Sequence, residues 1–381
     1  MKATEGDWSA LDPAEENVSV LRAFLRGIGY DAFQQSARLD YARSPYPDRE
    51  AFAQRLETAP PALGAALRLF LLADPVRSDA LVDAVGYDVV EASVAAGLLA
   101  HDAESDAFHT EGRSVVSWFG GFYLCSTNPY YPASPPGGGA VYMGPDSLSL
   151  ASALLRLAPA LPTEGDAADL CCGSGIAGLS AALRTPGLDW TAIDLSPEAV
   201  AAAGFNAALN GVADRHRASA GDLFAPLGDR RFDLITCNPP FIPVPDGTGF
   251  PLYGAGGEDG LVVLNPLLDG IAARLSDTGT AVIYAEGPGD AEGPFVLARL
   301  REVAARDGLD ARLEVHSAAT IPQALYTLGA MLARQRPSRL EEIVHWKGLF
   351  ERLGAGGYFT YVLTVRHGSG RVEASSLVRW P

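Results

Sequence analysis

Four residues are placed where they could hold a reacting nitrogen: Asn238-Pro239-Pro240-Phe241, directly after the apolar run Asp233-Leu-Ile-Thr-Cys237. Two consecutive prolines fix the backbone and remove two donors, so the acceptors at hand, the Asn238 amide oxygen and the Pro239 carbonyl, can converge on one point. A planar NH2 group offers two donors with matching divergence. Accepting both protons holds the nitrogen, helps its lone pair leave conjugation and aims it at a methyl donor, while Phe241 can stack on the flat group. Hydride transfer has no need of such a fork. Taken alone, the tetrapeptide also reads as an ordinary turn after a strand, so its weight comes from three neighbours.

Asp169-Leu-Cys-Cys-Gly173-Ser-Gly175-Ile-Ala-Gly178 reads as a strand running into a glycine-rich turn and a helix. There the backbone can approach a ligand lying outside the carboxyl end of the strand, although a dinucleotide-binding turn looks much the same. About 20 residues on, the next strand ends at Asp194, whose carboxylate can accept both hydroxyls of a ribose. Ser196 before Pro197 caps the following helix, which leaves Asp194 free for a ligand. Gly221-Asp222-Leu223-Phe224 then closes a third strand, where Asp222 can meet an adenine amino group and Leu223 can cover the ring.

The elements that must position these residues follow from periodicity. Strand-like runs at 167–171, 190–194, 232–237, 280–285, 313–316 and 359–365 alternate with helix-like ones at 147–157, 177–183, 197–209, 261–273, 295–306 and 340–353. The alternation predicts an α/β fold, a parallel sheet with helices on both faces that closes on an antiparallel strand. The earlier part reads as helices at 14–28, 49–56, 62–72, 79–85 and 89–99, followed by short strands at 108–109, 114–118 and 122–126. That layout resembles a winged helix. The run YPASPPGGG at 131–139 can continue neither helix nor ladder. It predicts a substrate or packing domain over 1–139 and a ligand-binding domain over 140–381.

With the four signals in place, the stretch from about Tyr142 to Ala285 resembles the class I S-adenosylmethionine-dependent methyltransferases, in the branch whose fourth strand ends in Asn-Pro-Pro-aromatic. That branch includes the glutamine-amide methyltransferases of release factors and the adenine exocyclic-amine methyltransferases. The resemblance implies a Rossmann-like sheet and S-adenosylmethionine as cofactor. It implies that Asp169, Cys171, Gly173 and Gly175 shape the methionine pocket, that Asp194 and Leu195 hold the ribose, that Asp222 and Leu223 bracket adenine, and that Asn238, Pro239, Pro240 and Phe241 present the acceptor. Tyr142-Met-Gly144-Pro-Asp146-Ser147 is similar to a segment that covers the cofactor in a two-domain bacterial group. Gly256-Gly257-Glu258-Asp259-Gly260-Leu261 resembles the Gly-Gly-x-Asp-Gly-Leu of release-factor enzymes. Acceptor contacts are expected from Tyr131, Phe241, Tyr253, Glu258 and Asp259, with Glu258, Asp259 or water taking the proton; hinge packing for Tyr131 and a plain surface position for the two acids are the alternatives. Two features depart from the family. Cys171 and Cys172 stand where a small residue and Gly are commoner, and the N-terminal part does not look like the short helical domain of release-factor enzymes.

Composition narrows the acceptor. The 381 residues carry 46 acidic and 29 basic groups, a formal charge of −17 that repels nucleic acid. Four cysteines and six scattered histidines show no metal-ligand spacing, so neither zinc nor a disulfide framework is expected. No basic-then-apolar leader opens the chain, and no uncharged apolar run reaches the roughly 18 residues of a membrane span, so a cytoplasmic protein without a membrane partner is expected. The expected reaction is N-methylation of a planar amide or amine on a small metabolite or a protein side chain. Methylation of an adenine amino group, O-methylation of a small molecule, and a cofactor-binding transcriptional regulator are the alternatives.

Overall fold

The computed structural model describes residues 7–36, 49–118, 121–128, 140–335 and 341–378. The chain divides into two compact units. One comprises Met1–Ser152, Cys172–Arg184 and Asp189–Gly221, and the other Ala153–Cys171, Thr185–Leu188 and Asp222–Pro381. The proline-glycine run at 131–139 lies outside the described residues.

In the first unit, helix Glu15–Gly27 buries Val18, Leu21 and Leu25, the stripe that its apolar spacing dictates. Helices Ser78–Val85 and Tyr87–Ala95 are followed by strands Ala100–Asp102 and Ala107–His109, with Val76–Arg77 joining the latter, as in a winged helix. Strands Arg113–Trp118 and Phe122–Thr127 form an antiparallel ribbon. Helix Pro197–Leu209 begins as expected, with the Ser196 hydroxyl accepting from Ala199 N and Pro197 at its first position. The helix holds the ribbon through two buried amides. Asn206 accepts from Cys125 N (2.7 Å) and donates to Cys125 O (3.0 Å), and Asn210 accepts from Tyr123 N (2.9 Å) and donates to Tyr123 O (2.6 Å). Each asparagine thus pairs with a residue as a neighbouring strand would. Arg22 donates to the Leu209 and Ala208 carbonyls and so caps the helix's carboxyl end with a cation. The unit also contains the parallel pairing of residues 190–194 with strand His216–Ala220, in which His216 and Trp190 stack at 6.3 Å with 23° between their planes.

The second unit holds a sheet ordered 372–376, 309–320, 357–367, 275–290, 232–237, 164–170. Strands Glu164–Leu170, Phe232–Cys237 and Leu275–Asp290 are parallel, and Gly357–His367 runs antiparallel between Leu275–Asp290 and Leu309–Thr320. This is the Rossmann-like α/β arrangement expected, with the predicted antiparallel closing strand. Helices Ile321–Gln335 and Ile343–Leu353 lie between the strands Leu309–Thr320 and Gly357–His367 and have their own core of Leu328, Leu332, Trp346 and Phe350. Ile242, Val244 and Phe250, from the segment after Asn-Pro-Pro-Phe, pack onto that core. The first of these helices was not expected from the sequence, and the strand expected over 280–285 runs from Leu275 to Asp290. Among the described residues no helix is long and apolar enough to cross a membrane, and no group of three or more His, Cys, Asp or Glu is placed to hold a metal ion.

Candidate active site

Cys171 (φ +52°), Gly173 (φ +54°) and Gly175 (φ +78°) all take the left-handed conformation just after strand Glu164–Leu170. For Cys171 that conformation carries a steric cost, and such strain concentrates at ligand sites. Gly173 N donates to Asp194 Oδ2 (2.8 Å), and Cys172 N to the Ile193 carbonyl (3.1 Å). Ser196 N donates to the other carboxylate oxygen of Asp194 (2.9 Å). Asp194 is therefore not free of the protein as expected: the cap at Ser196 uses the carboxylate as well as the hydroxyl, and the carboxylate fixes the glycine turn. A carboxylate has about four acceptor sites, so two backbone donors leave room for a vicinal diol. Burial pushes the Asp194 carboxyl above the ordinary carboxylate range, against these donors. Leu195 beside it is 57% exposed.

The segment from Tyr142 to Ser147 lies next to this turn: a Cβ on Gly173 would sit 3.7 Å from the Tyr142 carbonyl. Tyr142 donates its hydroxyl to Asp146 (2.8 Å), and Gly144 N donates to the Ser147 hydroxyl (3.4 Å). A Cβ on Gly144 would meet the Tyr142 hydroxyl at 1.8 Å, so any larger residue there would push the Tyr142 ring aside.

Asp169 is buried on strand Glu164–Leu170 and accepts from the Thr236 hydroxyl (2.9 Å), its cross-strand partner. Asp222 is exposed, and Leu223 has φ +45°, again uncommon for a residue with a Cβ. Cys237 pairs with both Leu170 and Ile283, so Asn238 is the first residue beyond a central strand. Its Oδ1 is shielded from solvent, and Pro239 and Phe241 are buried. The Phe241 ring meets Tyr284 edge-on at 6.1 Å.

The Gly256–Leu261 motif braces this segment. Ile242 N donates to Gly254 O, Gly256 N to Ile242 O and Val244 N to Gly257 O, each at 2.8 Å. A Cβ on Gly256 would lie 2.7 Å from the Phe241 carbonyl carbon, and one on Gly260 (φ +79°) would lie 2.5 Å from the Phe241 oxygen. Only glycine fits at either position. The two acids are engaged as well. Asp259 accepts from Leu261 N (2.9 Å), and Glu258 pairs with Arg352 at 3.3 Å. Tyr253 is 37% exposed, and Tyr131 lies outside the described residues.

Four residues around the fork escaped the sequence reading in these roles: Thr236, Tyr284, Glu286 and Trp346. Trp346 is fully buried, and its Nε1 donates to the Pro243 carbonyl at 2.6 Å. Tyr284 donates its hydroxyl to Glu286 at 2.8 Å. For Tyr284 and Glu286 the available signal was their place on the strand that follows Asn-Pro-Pro-Phe.

Residues 144–246 match the family described as Methyltransferase small domain. A ribosomal protein uL3 glutamine methyltransferase from Bradyrhizobium diazoefficiens is 37% identical over 119 residues, 29% of this chain and 37% of that protein. A release factor glutamine methyltransferase from Geobacter sulfurreducens is 42% identical over 78 residues, 20% of this chain and 27% of that protein. The chain thus spans well under half the length of these curated relatives. Among solved structures, a SAM-dependent methyltransferase from Agrobacterium tumefaciens aligns with a TM-score of 0.40 at 16% identity, over 67% of this chain and 70% of that one. Residues 144–246 are thus similar to the methyltransferase small domain, and the chain is similar over less than a third of its length to methyltransferases named for glutamine in proteins.

Proposed function

We propose that this chain is an S-adenosylmethionine-dependent methyltransferase that methylates the amide nitrogen of a polypeptide side chain. The observation that carries the reading is Asn238-Pro-Pro-Phe at the end of a central strand, with the Asn238 oxygen turned away from solvent and Phe241 braced from behind by Gly256 and Gly260. The names of both relatives specify glutamine in a protein, which favours a polypeptide acceptor over a small metabolite. Such an acceptor belonging to the translation apparatus would place the reaction in the cytoplasm. The charge of −17 weighs against a nucleic acid.

The residues suit the cofactor. The left-handed turn at Cys171, Gly173 and Gly175 brings backbone rather than side chains to the methionine end, Asp194 retains acceptor capacity for the ribose hydroxyls beside Leu195, and Asp222 with Leu223 would flank adenine. Tyr142, Gly144 and Ser147 would cover the methionine end. When bound, S-adenosylmethionine supplies an electrophilic methyl group on sulfur. Asn238 Oδ1 and the Pro239 carbonyl would accept both amide protons of the acceptor, orient its nitrogen and stabilise the positive charge that builds there. Phe241 would stack on the amide and exclude water. Placement of this kind contributes up to about 7–11 kcal/mol in well-oriented cases. Glu258 and Asp259 already serve Arg352 and Leu261, which favours water as the proton's destination.

The test is incubation of cell extract with tritiated S-adenosylmethionine. Label is expected in protein, with Asn238→Ala binding S-adenosylhomocysteine normally and transferring no label. Label confined to small molecules or nucleic acid, or full turnover by Asn238→Ala, would overturn the reading.

A further inference from the structure

The two-stranded ribbon of the first unit turns at Gly121 (φ +86°), and polar groups from three elements face that turn. A Cβ on Gly121 would stand 3.8 Å from Tyr123 Oη, 3.9 Å from Asp31 Oδ2 and 4.0 Å from Arg26 Nε. Arg26 lies in the last turn of helix Glu15–Gly27, and Asp31 in the first turn of helix Tyr30–Ser36. One turn further along that second helix, the Gln34 carboxamide accepts from Ser117 N (3.0 Å), and Ser117 is the cross-strand partner of Tyr123. The turn thus has a charged rim, exposed Arg26 and half-buried Asp31, over a floor of Gln34, Ser117 and Tyr123. That floor is fully buried, yet Gln34 Nε2, Ser117 Oγ and Tyr123 Oη have no hydrogen-bond partner. Buried polar groups are as a rule paired with protein, water or a ligand, so three unpaired ones at one spot mark a place that is filled. Burial, with the Asp31 carboxylate beside it, pushes the Tyr123 phenol up to about 12, which keeps it a donor.

We propose that this place binds a free α-amino acid with a polar side chain, its carboxylate on Arg26, its ammonium on Asp31 and its side chain on the Gln34, Ser117 and Tyr123 floor. None of these residues takes part in the methyltransferase reading. Among the described residues neither Arg26 nor Asp31 forms an ion pair, although both face the space at Gly121. A guanidinium and a carboxylate held apart around one space match the two charges of a zwitterion, whereas a simple anion would be repelled by Asp31 and a simple cation by Arg26. The floor offers an amide, a hydroxyl and a phenol, which suits a side-chain oxygen or amide and penalises a hydrocarbon that leaves them unpaired. The chain's charge of −17 repels free anions over longer range and leaves a neutral zwitterion unaffected.

L-Glutamine, L-asparagine and L-serine are the probes, each titrated calorimetrically into the full chain beside its N-acetyl amide, which keeps the side chain and removes both charges. At least one free acid is expected to bind about tenfold more tightly than its blocked form. Arg26→Gln and Asp31→Asn are each expected to bring that ratio close to one, with an unchanged urea midpoint as the check on folding. Tyr123→Phe should weaken the free acid about tenfold while its urea midpoint without ligand stays at or above the wild-type value, because the hydroxyl it removes has no partner in the fold. Absence of binding by all three acids at about 10 mM, equal binding of free and blocked forms, or an undiminished ratio in Arg26→Gln and Asp31→Asn overturns the proposal. A Tyr123→Phe protein whose urea midpoint falls while its affinity for the acid holds also overturns it, since the floor then carries ordered water only.

Discussion

The indole of Trp346 donates to the carbonyl oxygen of Pro243 at 2.6 Å. Pro243 stands two positions after Phe241, so the helix Ile343–Leu353 grips the acceptor segment by its backbone, and Phe250 returns to meet the same indole edge-on at 6.2 Å. The strands Leu309–Thr320 and Gly357–His367 could have been joined by a tight turn. The chain instead places between them a helix pair whose apolar core is completed by residues 242–250.

Trp346→Phe keeps most of the apolar volume and leaves the Pro243 carbonyl without its indole donor. A loss of about 1–3 kcal/mol in urea unfolding is expected. Affinity for S-adenosylhomocysteine should stay at the wild-type value.

Asp194→Asn retains one acceptor oxygen and replaces the other by a donor that faces the N–H of Gly173 or Ser196. The glycine turn loses an anchor and the ribose loses an acceptor. S-adenosylhomocysteine binding is expected to weaken about 10- to 100-fold by calorimetry, or about 1.4–2.8 kcal/mol.

Gly260→Ala brings a methyl group to 2.5 Å from the Phe241 oxygen at a φ of +79°. The acceptor segment must shift, while Asp194 and Gly173 are untouched. Methyl transfer should fall at least about tenfold, because small misplacements of reacting groups are costly, with cofactor affinity retained.

His216 is 2% exposed, and burial beside Trp190 pushes its imidazole down to about 4 from 6.5. Between those values the unfolded chain binds a proton that the folded one does not. This contribution to stability is therefore complete above about pH 6.5 and is lost as the pH falls toward 4, to a total on the order of 3 kcal/mol. Urea midpoints measured at pH 4.5, 5.5 and 7, conditions chosen to span about this window, should show a steeper decline in wild type than in His216→Phe.

Asn206→Ala removes the amide that serves Cys125 N, Cys125 O and the Ser174 carbonyl. Thermal and urea unfolding should show a loss of about 2–4 kcal/mol. Asn206→Asp should be no better, since a carboxylate would face two carbonyl oxygens.

Much of this was legible in the sequence, and the failures have physical causes. Phe232–Cys237 and Pro197–Leu209 came out with their true ends because hard stops bound them: Asn-Pro-Pro after the strand, and the Ser196–Pro197 cap before the helix. The helix Ile321–Gln335 went unseen although its start is signed. Thr320 and Gln323 form a capping box, Thr320 N to the Gln323 carboxamide and Gln323 N to the Thr320 hydroxyl. The expected strand stopped at 285, yet Gly287, Pro288 and Gly289 pair with residues 357–359, because long-range pairing with an antiparallel neighbour overrides local propensity. That misreading is what concealed Glu286. At the site, spacing found the Asn238 fork and the Asp194 carboxylate, but which backbone groups Asp194 already serves depends on how the turn at Gly173 folds back.

The two-stranded ribbon has a consequence for solubility. Asn206 and Asn210 occupy one rim of it, while on the other the Tyr30 hydroxyl donates to Val115 O (2.7 Å) and the Gln34 carboxamide accepts from Ser117 N (3.0 Å). Exposed strand margins are templates for pairing with foreign chains. Here side-chain amides and a phenol take the places a foreign strand would use, so the ribbon carries its own guard against fibril growth and exchange between molecules.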